Sequence, residues 1–321
     1  MTPTIARFAA DHDGHRITVS ADDGVPIAVR TFGADDAPLT VVFVHGHCLR
    51  TESWSFLRDH LLCQWGSSTR MVFYDHRGHG ESGVADPSSY TIDQLAHDLD
   101  AVLRVVVPTG PVILVGHSMG AMVTLAYSRL FPAAIGTRVL GVGLIAGAAN
   151  GITEVGLGRF LHRRAVNSLQ VAVLRAPRVM QASKRLSRRI FEPILREATF
   201  GTRKVNPRVV AVATAMLNET PLLTMSSFLA SLITFDETAT LHRLGTIPAL
   251  VLAGSADIVV PFAHSVVLAS QLAGSELVRL EGAGHSVILE RAEEVALSIA
   301  GLVERVFADM HGHGPEYAAV S

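Results

Sequence analysis

Short apolar runs alternate with helical patterns along this chain, and that alternation constrains its fold more than any other feature. Leu39–His45, Arg70–Asp75 and Pro111–Gly116 are each rich in Val, Ile, Leu or Phe, and each ends in a polar or glycine-bearing turn. Runs this short and this apolar suit strands buried on both faces. Helical patterns follow them at Trp54–Trp65, Thr91–Val107 and Met119–Phe131. In the second, Ile92, Leu95, Ala96, Leu99, Val102, Leu103 and Val106 share one face at 3.6-residue spacing, and Pro108 and Gly110 stop the helix. Asp98 and Asp100 on the same helix read as solvated charges or as partners of its N-terminus. Strand followed by helix, repeated, predicts a parallel α/β sheet.

The pattern has an edge and an interruption. Arg16–Ser20 and Pro26–Thr31 flank Asp22-Asp23-Gly24, a hairpin signal, so the sheet is expected to open with an antiparallel pair. Another strand is predicted at Arg138–Ile145. From about Ala148 to Thr240 helical segments occur without buried-strand runs. The alternation then returns with a strand at Ala249–Ala253, a helix at Pro261–Ala273, a strand at Glu276–Leu280 and a helix at Leu289–Phe307. The simplest organisation is an α/β core made of residues 1–147 and 241–310, a helical cap at 148–240, and a disordered tail at 311–321.

Bulk properties remove several function classes. The chain has 321 residues with 49% hydrophobic and 17% charged, a globular composition long enough for one large domain. A net charge of −2 gives the whole molecule no case for binding nucleic acid. No run of about 18 apolar residues predicts a membrane span. Met1–Ser20 shows neither an apolar stretch nor a small-residue cleavage site, so no signal peptide is expected. Cys48 and Cys63 have no metal-type spacing and form no disulfide framework. A cytoplasmic protein is the expectation. Charge is uneven, however. Residues 151–208 carry 13 of the 27 basic side chains against Glu154, Glu192 and Glu197. Lys184-Arg185 and Arg188-Arg189 fall on one helix face. This segment is either a solvated face or a surface that attracts anionic lipid, phosphate or carboxylate.

The candidate chemistry lies in Gly116-His117-Ser118-Met119-Gly120. The pentapeptide sits between the run Val112-Ile113-Leu114-Val115 and a helical pattern, so Ser118 occupies a strand-to-helix turn, the setting of a nucleophile elbow. Gly116 and Gly120 leave room where a Cβ would clash. The helix that starts here turns its N-terminal N–H groups toward developing negative charge. A serine hydroxyl needs a base, and the base needs an orienting partner. Fifteen histidines are present, so position must select. His285 follows the last strand within Glu281-Gly282-Ala283-Gly284-His285, and Asp257 follows the preceding strand within Gly254-Ser255-Ala256-Asp257. All three fall beyond carboxyl ends of strands, where parallel sheets bind ligands. Asp75 is a rival acid and His45 a rival base. Cys48 reads as a small lining residue. His76 and His79, with His45 or His47, are a weaker metal-ligand reading.

From about Val19 to Phe307 the sequence resembles the α/β-hydrolase superfamily. The resemblance rests on Val44-His45-Gly46-His47, Asp75-His76-Arg77-Gly78-His79-Gly80-Glu81-Ser82, Gly116–Gly120, Gly254–Asp257 with Val260-Pro261, and Gly284-His285. It implies an eight-stranded, mostly parallel sheet with a cap inserted after the sixth strand. It also implies a catalytic triad of Ser118, Asp257 and His285 in that chain order, and an oxyanion hole from the backbone N–H groups of His47 and Met119. No metal or other cofactor is expected.

The substrate is less constrained. Pro221–Phe235 is too short and polar to span a membrane and is apolar nearly all round as a helix. It packs against the core, or part of it lines an acyl pocket through Met225, Phe228 and Leu232. The expectation is a carboxylesterase or lipase acting on a small-molecule or lipid ester with a hydrophobic part. A thioesterase or a carbon–carbon bond hydrolase on the same triad is the alternative. A non-catalytic receptor on this fold is a third reading.

Overall fold

In the computed structural model, residues 14–66, 68–160, 162–184, 199–201 and 205–312 are described. Eight strands form one sheet: β1 (His15–Ser20), β2 (Pro26–Phe32), β3 (Thr40–Val44), β4 (Arg70–Tyr74), β5 (Val112–His117), β6 (Val139–Ile145), β7 (Ala249–Gly254) and β8 (Glu276–Leu280). Their order is β1-β2-β4-β3-β5-β6-β7-β8. β1 pairs with β2, and β2 with β4, antiparallel; every later pair is parallel. Three helices, α1 (Ser55–Trp65), α2 (Ile92–Val106) and α3 (Met119–Leu130), follow β3, β4 and β5 as the alternation requires. The boundaries lie within one or two residues of those read from the sequence.

The two-residue period of the strands builds two cores. Val42 and Val44 of β3, Val72 of β4 and Leu114 of β5 face α2 and α3. Val41, Phe43, Met71, Phe73, Ile113 and Val115, the alternate residues, face α1 and the long C-terminal helix. Covering both faces leaves β3, β4 and β5 buried throughout, with apolar centres and polar residues only at their ends. β8 lies at the sheet's edge, and its residues are exposed or half-buried.

Between β6 and β7 the described residues form helices and no strand. They are α4 (Arg163–Arg175), helical residues 177–184, α5 (Pro207–Glu219), α6 (Leu222–Leu232) and the short α7 (Leu241–Leu244). α5 and α6 meet at 94° across Thr220 and Pro221. No single described helix is long and apolar enough to cross a membrane. α6 rests on α2, where Ser231 Oγ accepts the Ile92 N–H at 3.1 Å. The shared face expected for Lys184, Arg185, Arg188 and Arg189 falls largely outside the described residues, as does the tail beyond Gly312.

The C-terminal end departs from the sequence reading in one respect. The single helix expected at Leu289–Phe307 is two, α9 (Val287–Glu290) and α10 (Ala292–Gly312), following α8 (Phe262–Gln271). At the break, Arg291 leaves helical geometry with φ −133° and ψ 42°. Glu290 there turns its carboxylate to the Gly201 and Gly284 N–H groups.

Candidate active site

Ser118 stands between β5 and α3 with φ 53° and ψ −117°, left-handed backbone that a serine adopts only when its surroundings force it. The turn holds because its N–H donates to the Ile145 carbonyl at 2.8 Å. Close packing does the rest. A Cβ on Gly120 would stand 1.9 Å from the Val44 carbonyl oxygen, so only glycine lets α3 begin against the end of β3.

The structure brings the three sequence-selected residues together. His285 Nε2 lies 2.9 Å from Ser118 Oγ, and His285 Nδ1 lies 2.8 Å from Asp257 Oδ2. The second carboxylate oxygen, Asp257 Oδ1, accepts from the Val259 and Val260 N–H groups at 2.9 and 2.8 Å. Both aspartate oxygens are therefore acceptors in fixed directions, and its side chain is fully buried. Nδ1 of His285 must carry the proton that points at Oδ2, which leaves Nε2 with a lone pair facing the serine.

The loop after β3 completes the surroundings. Met119 opens α3, and His47 lies in the turn after Gly46, whose own Cβ position would touch Ser118 Cβ at 3.1 Å. Among the described residues neither the His47 nor the Met119 N–H donates to a protein acceptor. The His47 ring lies 6.4 Å from the Phe228 ring and is held neutral, its pKa pushed down to about 4 by burial. Cys48 has φ 60° and is buried; burial pushes its thiol up to about 12, so it stays a thiol rather than a nucleophilic thiolate.

The other motif residues are structural. His45 Nε2 accepts the His76 N–H at 2.9 Å, and the His76 ring bonds back to the His45 carbonyl. Cys48 N–H donates to His79 Nε2. These rings pin the loop after β3 to the loop after β4. Among the described residues no group of three His, Cys, Asp or Glu has metal-holding geometry. Asp75 accepts the Thr51 and Glu81 N–H groups, each at 2.8 Å, and serves that loop rather than His285.

Asp98 corrects a sequence expectation. It is fully buried, not solvated, and makes a two-pronged ion pair with Arg77 at 2.7 and 2.6 Å. Arg77 also reaches Asp23 in the β1–β2 turn. The glycine-rich turn after β4 is thus tied to α2 and the edge hairpin by one guanidinium.

Two supports went unread in the sequence. His117 Nε2 lies 2.9 Å from the His285 carbonyl oxygen, and with its pKa pushed down to about 3 by burial the neutral ring donates there. Glu290 accepts from Gly284 N at 3.0 Å and Gly201 N at 3.0 Å, and Ser286 N–H donates to Thr199 O. Residues 199–201 thereby hold the loop that carries His285. A histidine immediately before the serine was visible, but its partner on a distant loop was not.

The three pocket candidates separate. Phe228 is buried against His47, His79 and Tyr90, with ring centroids 6.4, 5.6 and 5.0 Å away. Met225 is half-buried, and its carbonyl favours the protonated form of His47. Leu232 joins the hydrophobic core on the side of the sheet that α2 and α3 cover. The buried side of α6 also carries Thr224, Ser226 and Ser227, so it is less apolar than its sequence suggested. A separate cavity of about 630 Å³ lies in the helical segment, lined by Val173, Pro177, Arg178, Gln181, Leu222 and Leu223 among others.

An eight-stranded sheet carrying a serine, an aspartate and a histidine beyond the carboxyl ends of β5, β7 and β8 defines a class before it defines a protein. The alpha/beta hydrolase family model matches residues 41–297, and the chain belongs to that family and is a hydrolase. It is 26% identical to the proline iminopeptidase PfmaB of Pestalotiopsis fici, over 88% of this chain and 98% of that one. It is 29% identical to a monoacylglycerol lipase of Mycolicibacterium smegmatis, over 50% of this chain and 60% of the lipase. Among solved structures it is similar to a thermophilic esterase of Thermogutta terrifontis, with TM-score 0.71, 24% identity, and coverage of 91% of this chain and 99% of that one. At that identity the esterase supports the fold alone.

Proposed function

We propose that this hydrolase cleaves carboxylic esters with a hydrophobic acyl or alcohol part through an acyl-enzyme on Ser118. The observation that carries the reading is the hydrogen-bonded chain from Ser118 Oγ through His285 to Asp257. His285 Nε2 takes the hydroxyl proton as Ser118 Oγ bonds to the ester carbonyl carbon. The carbonyl oxygen becomes an oxyanion, received by the His47 N–H in the loop after β3 and the Met119 N–H at the start of α3. The carbon–oxygen bond to the alcohol then breaks, and His285 returns its proton to the leaving oxygen. Water, deprotonated by the same nitrogen, attacks the acyl-enzyme and releases the acid and free Ser118. Asp257 keeps Nδ1 protonated throughout and stabilises the imidazolium. Phe228 beside His47 supports an apolar wall above the oxyanion loop.

A fluorophosphonate probe tests the nucleophile. Wild type is expected to label and Ser118→Ala to remain unlabelled; labelling of Ser118→Ala would overturn the assignment. Rates on p-nitrophenyl esters of increasing chain length, acyl-CoAs and a proline arylamide then distinguish ester from thioester and from the amide that the similarity to an iminopeptidase raises. A maximum on acetyl esters counts against a hydrophobic acyl site. Cleavage of a vinylogous 1,5-diketone in preference to every ester would favour the carbon–carbon alternative.

A further inference from the structure

We propose that the outward face of α4, with the residues flanking it, binds the surface of an anionic lipid bilayer. α4 has two faces. Val166 and Val173 are buried beneath it, and it packs along α6. Away from that side Val171 and Leu174 stand 45% and 48% exposed, Val171 opposite the buried pair and Leu174 to one side, and at 100° per residue they fall within the arc that Arg163, Arg164 and Arg175 span. The flanks continue the arrangement. Phe160 before α4 is 62% exposed and Val179 after it 68%, beside Arg159 and Arg178. Arg159 lies over the Phe160 ring at 4.8 Å.

Among the described residues the charges are unopposed. Arg159, Arg163, Arg164, Arg175 and Arg178 are all exposed, and none makes a salt bridge among the described residues. Residues 155–184 contain no Asp or Glu. Several arginines elsewhere on the surface are paired, as Arg104 is with Asp22 and Asp100; among the described residues Arg208 and Arg243 are not, but they stand singly rather than as a cluster of five. Exposed aliphatic and aromatic side chains ringed by unpaired guanidinium groups match a bilayer's two layers: apolar groups enter the acyl boundary while the cations meet lipid phosphates. A second copy of the chain suits this face poorly, because a two-fold contact would set five arginines against the same five. Nucleic acid would use the arginines but leave Val171, Leu174 and Val179 without a role, since aliphatic groups do not stack on bases. The cavity in the helical segment is lined by Val173 on the buried side of α4 and by Pro177 and Arg178 beyond its C-terminal end, so of the five arginines Arg178 stands at its edge.

Vesicle co-sedimentation tests the proposal on the full chain. Vesicles of equimolar phosphatidylcholine and phosphatidylglycerol are expected to bind the protein, vesicles of phosphatidylcholine alone far less, and added salt to release it. Replacing Arg163, Arg164 and Arg175 together by Gln should weaken binding by about five-fold per charge, on the order of 100-fold in all. Val171→Asn with Leu174→Asn should weaken it as well. Hydrolysis of a water-soluble short ester at the wild-type rate confirms that each variant is folded. Ser118→Ala protein is expected to bind like wild type, which separates this surface from the reading of the catalytic centre. Absence of binding to the anionic vesicles at low salt overturns the proposal. So does binding unchanged in the triple Gln variant. DNA binding that the Asn pair leaves intact, with no vesicle binding, assigns the face to nucleic acid and equally overturns it.

Discussion

At Asp257 the geometry dictates what an isosteric change would do. Val259 and Val260 N–H groups demand an acceptor at Oδ1, so in Asp257→Asn the amide oxygen must face them and the NH₂ must face His285. The imidazole then accepts at Nδ1 and carries its proton on Nε2, pointing at Ser118 in place of a lone pair. The expected outcome is a fall in kcat of about 10³–10⁴-fold with little change in KM and an unchanged fold. A loss under ten-fold in steady-state kinetics would show that Asp257 is not the orienting acid. The contact between Ser118, His285 and Asp257 was legible because each of the three sits beside turn chemistry that the sequence displays: glycines at 116, 120, 282 and 284, and strand ends before 257 and 285. Asp98 was misread because its partner arrives from another loop. A signal was nonetheless present. Asp98 lies three residues from Leu95 and four from Val102, inside the apolar stripe of α2, where an ionised side chain needs a buried partner. Arg77, in the glycine turn, is the cation that supplies it.

Elements set the position of His285, and here the sequence was least informative. Its loop meets residues 199–201 so closely that a Cβ on Gly284 would stand 2.5 Å from Gly201 N. Glu290 joins the two segments by accepting both N–H groups. Its carboxyl is pushed above the ordinary range, first by burial, while the two amides work against that. No local pattern at Glu290 announces the bond, because the break between α9 and α10 that turns the side chain inward comes from packing. Glu290→Ala leaves two backbone donors without their acceptor. The expected cost is about 2–3 kcal/mol in urea unfolding, with a lower kcat as His285 loses its fixed loop. Glu290→Gln, which keeps one acceptor oxygen, should recover part of both. A Glu290→Ala protein with wild-type stability would mean that the loop is held by other contacts. The strands of the core, by contrast, were read almost to the residue, because burial on two faces leaves an apolar run with few alternatives. The helical segment between β6 and β7 was legible only as a lack of such runs. Its 94° bend and the polar residues buried on α6 depend on what each helix meets.

Over the whole molecule, the same burial that shapes the site makes the protein sensitive to acid. His45, His76, His79 and His117 are each at most 1% exposed. Burial pushes the first down to about 4 and the last to about 3, and holds the middle two well below the ordinary value, so all four are neutral in the native state. In the unfolded chain each titrates near 6.5. A group with a depressed folded pKa contributes stability that is complete above its unfolded pKa and is lost as pH falls toward its folded one. Here the window opens at 6.5 and extends to about 4. Three carboxyls act in the opposite sense. Asp75 is raised to about 6, and Asp98 and Glu290 are raised, each mainly by burial, so the native state takes up those protons before the unfolded chain does. Five strongly depressed imidazoles, His47 at about 4 among them, against three carboxyls leave a net difference of about two protons, or roughly 3 kcal/mol of stability lost per pH unit within the window. Against a total of about 5–15 kcal/mol, two units are enough to bring unfolding into reach. Urea unfolding at pH 7.5, 6.5, 5.5 and 4.5 should therefore give a flat upper limb and a steep decline below 6.5, with proton uptake on unfolding rising through the same interval. Stability that stays level from pH 7.5 to 4.5 would mean that these imidazoles are protonated, or open to water, in the native protein. The interlocked rings between the loops after β3 and β4 would then need a different account, because His45 Nε2 can accept the His76 N–H only while it carries no proton.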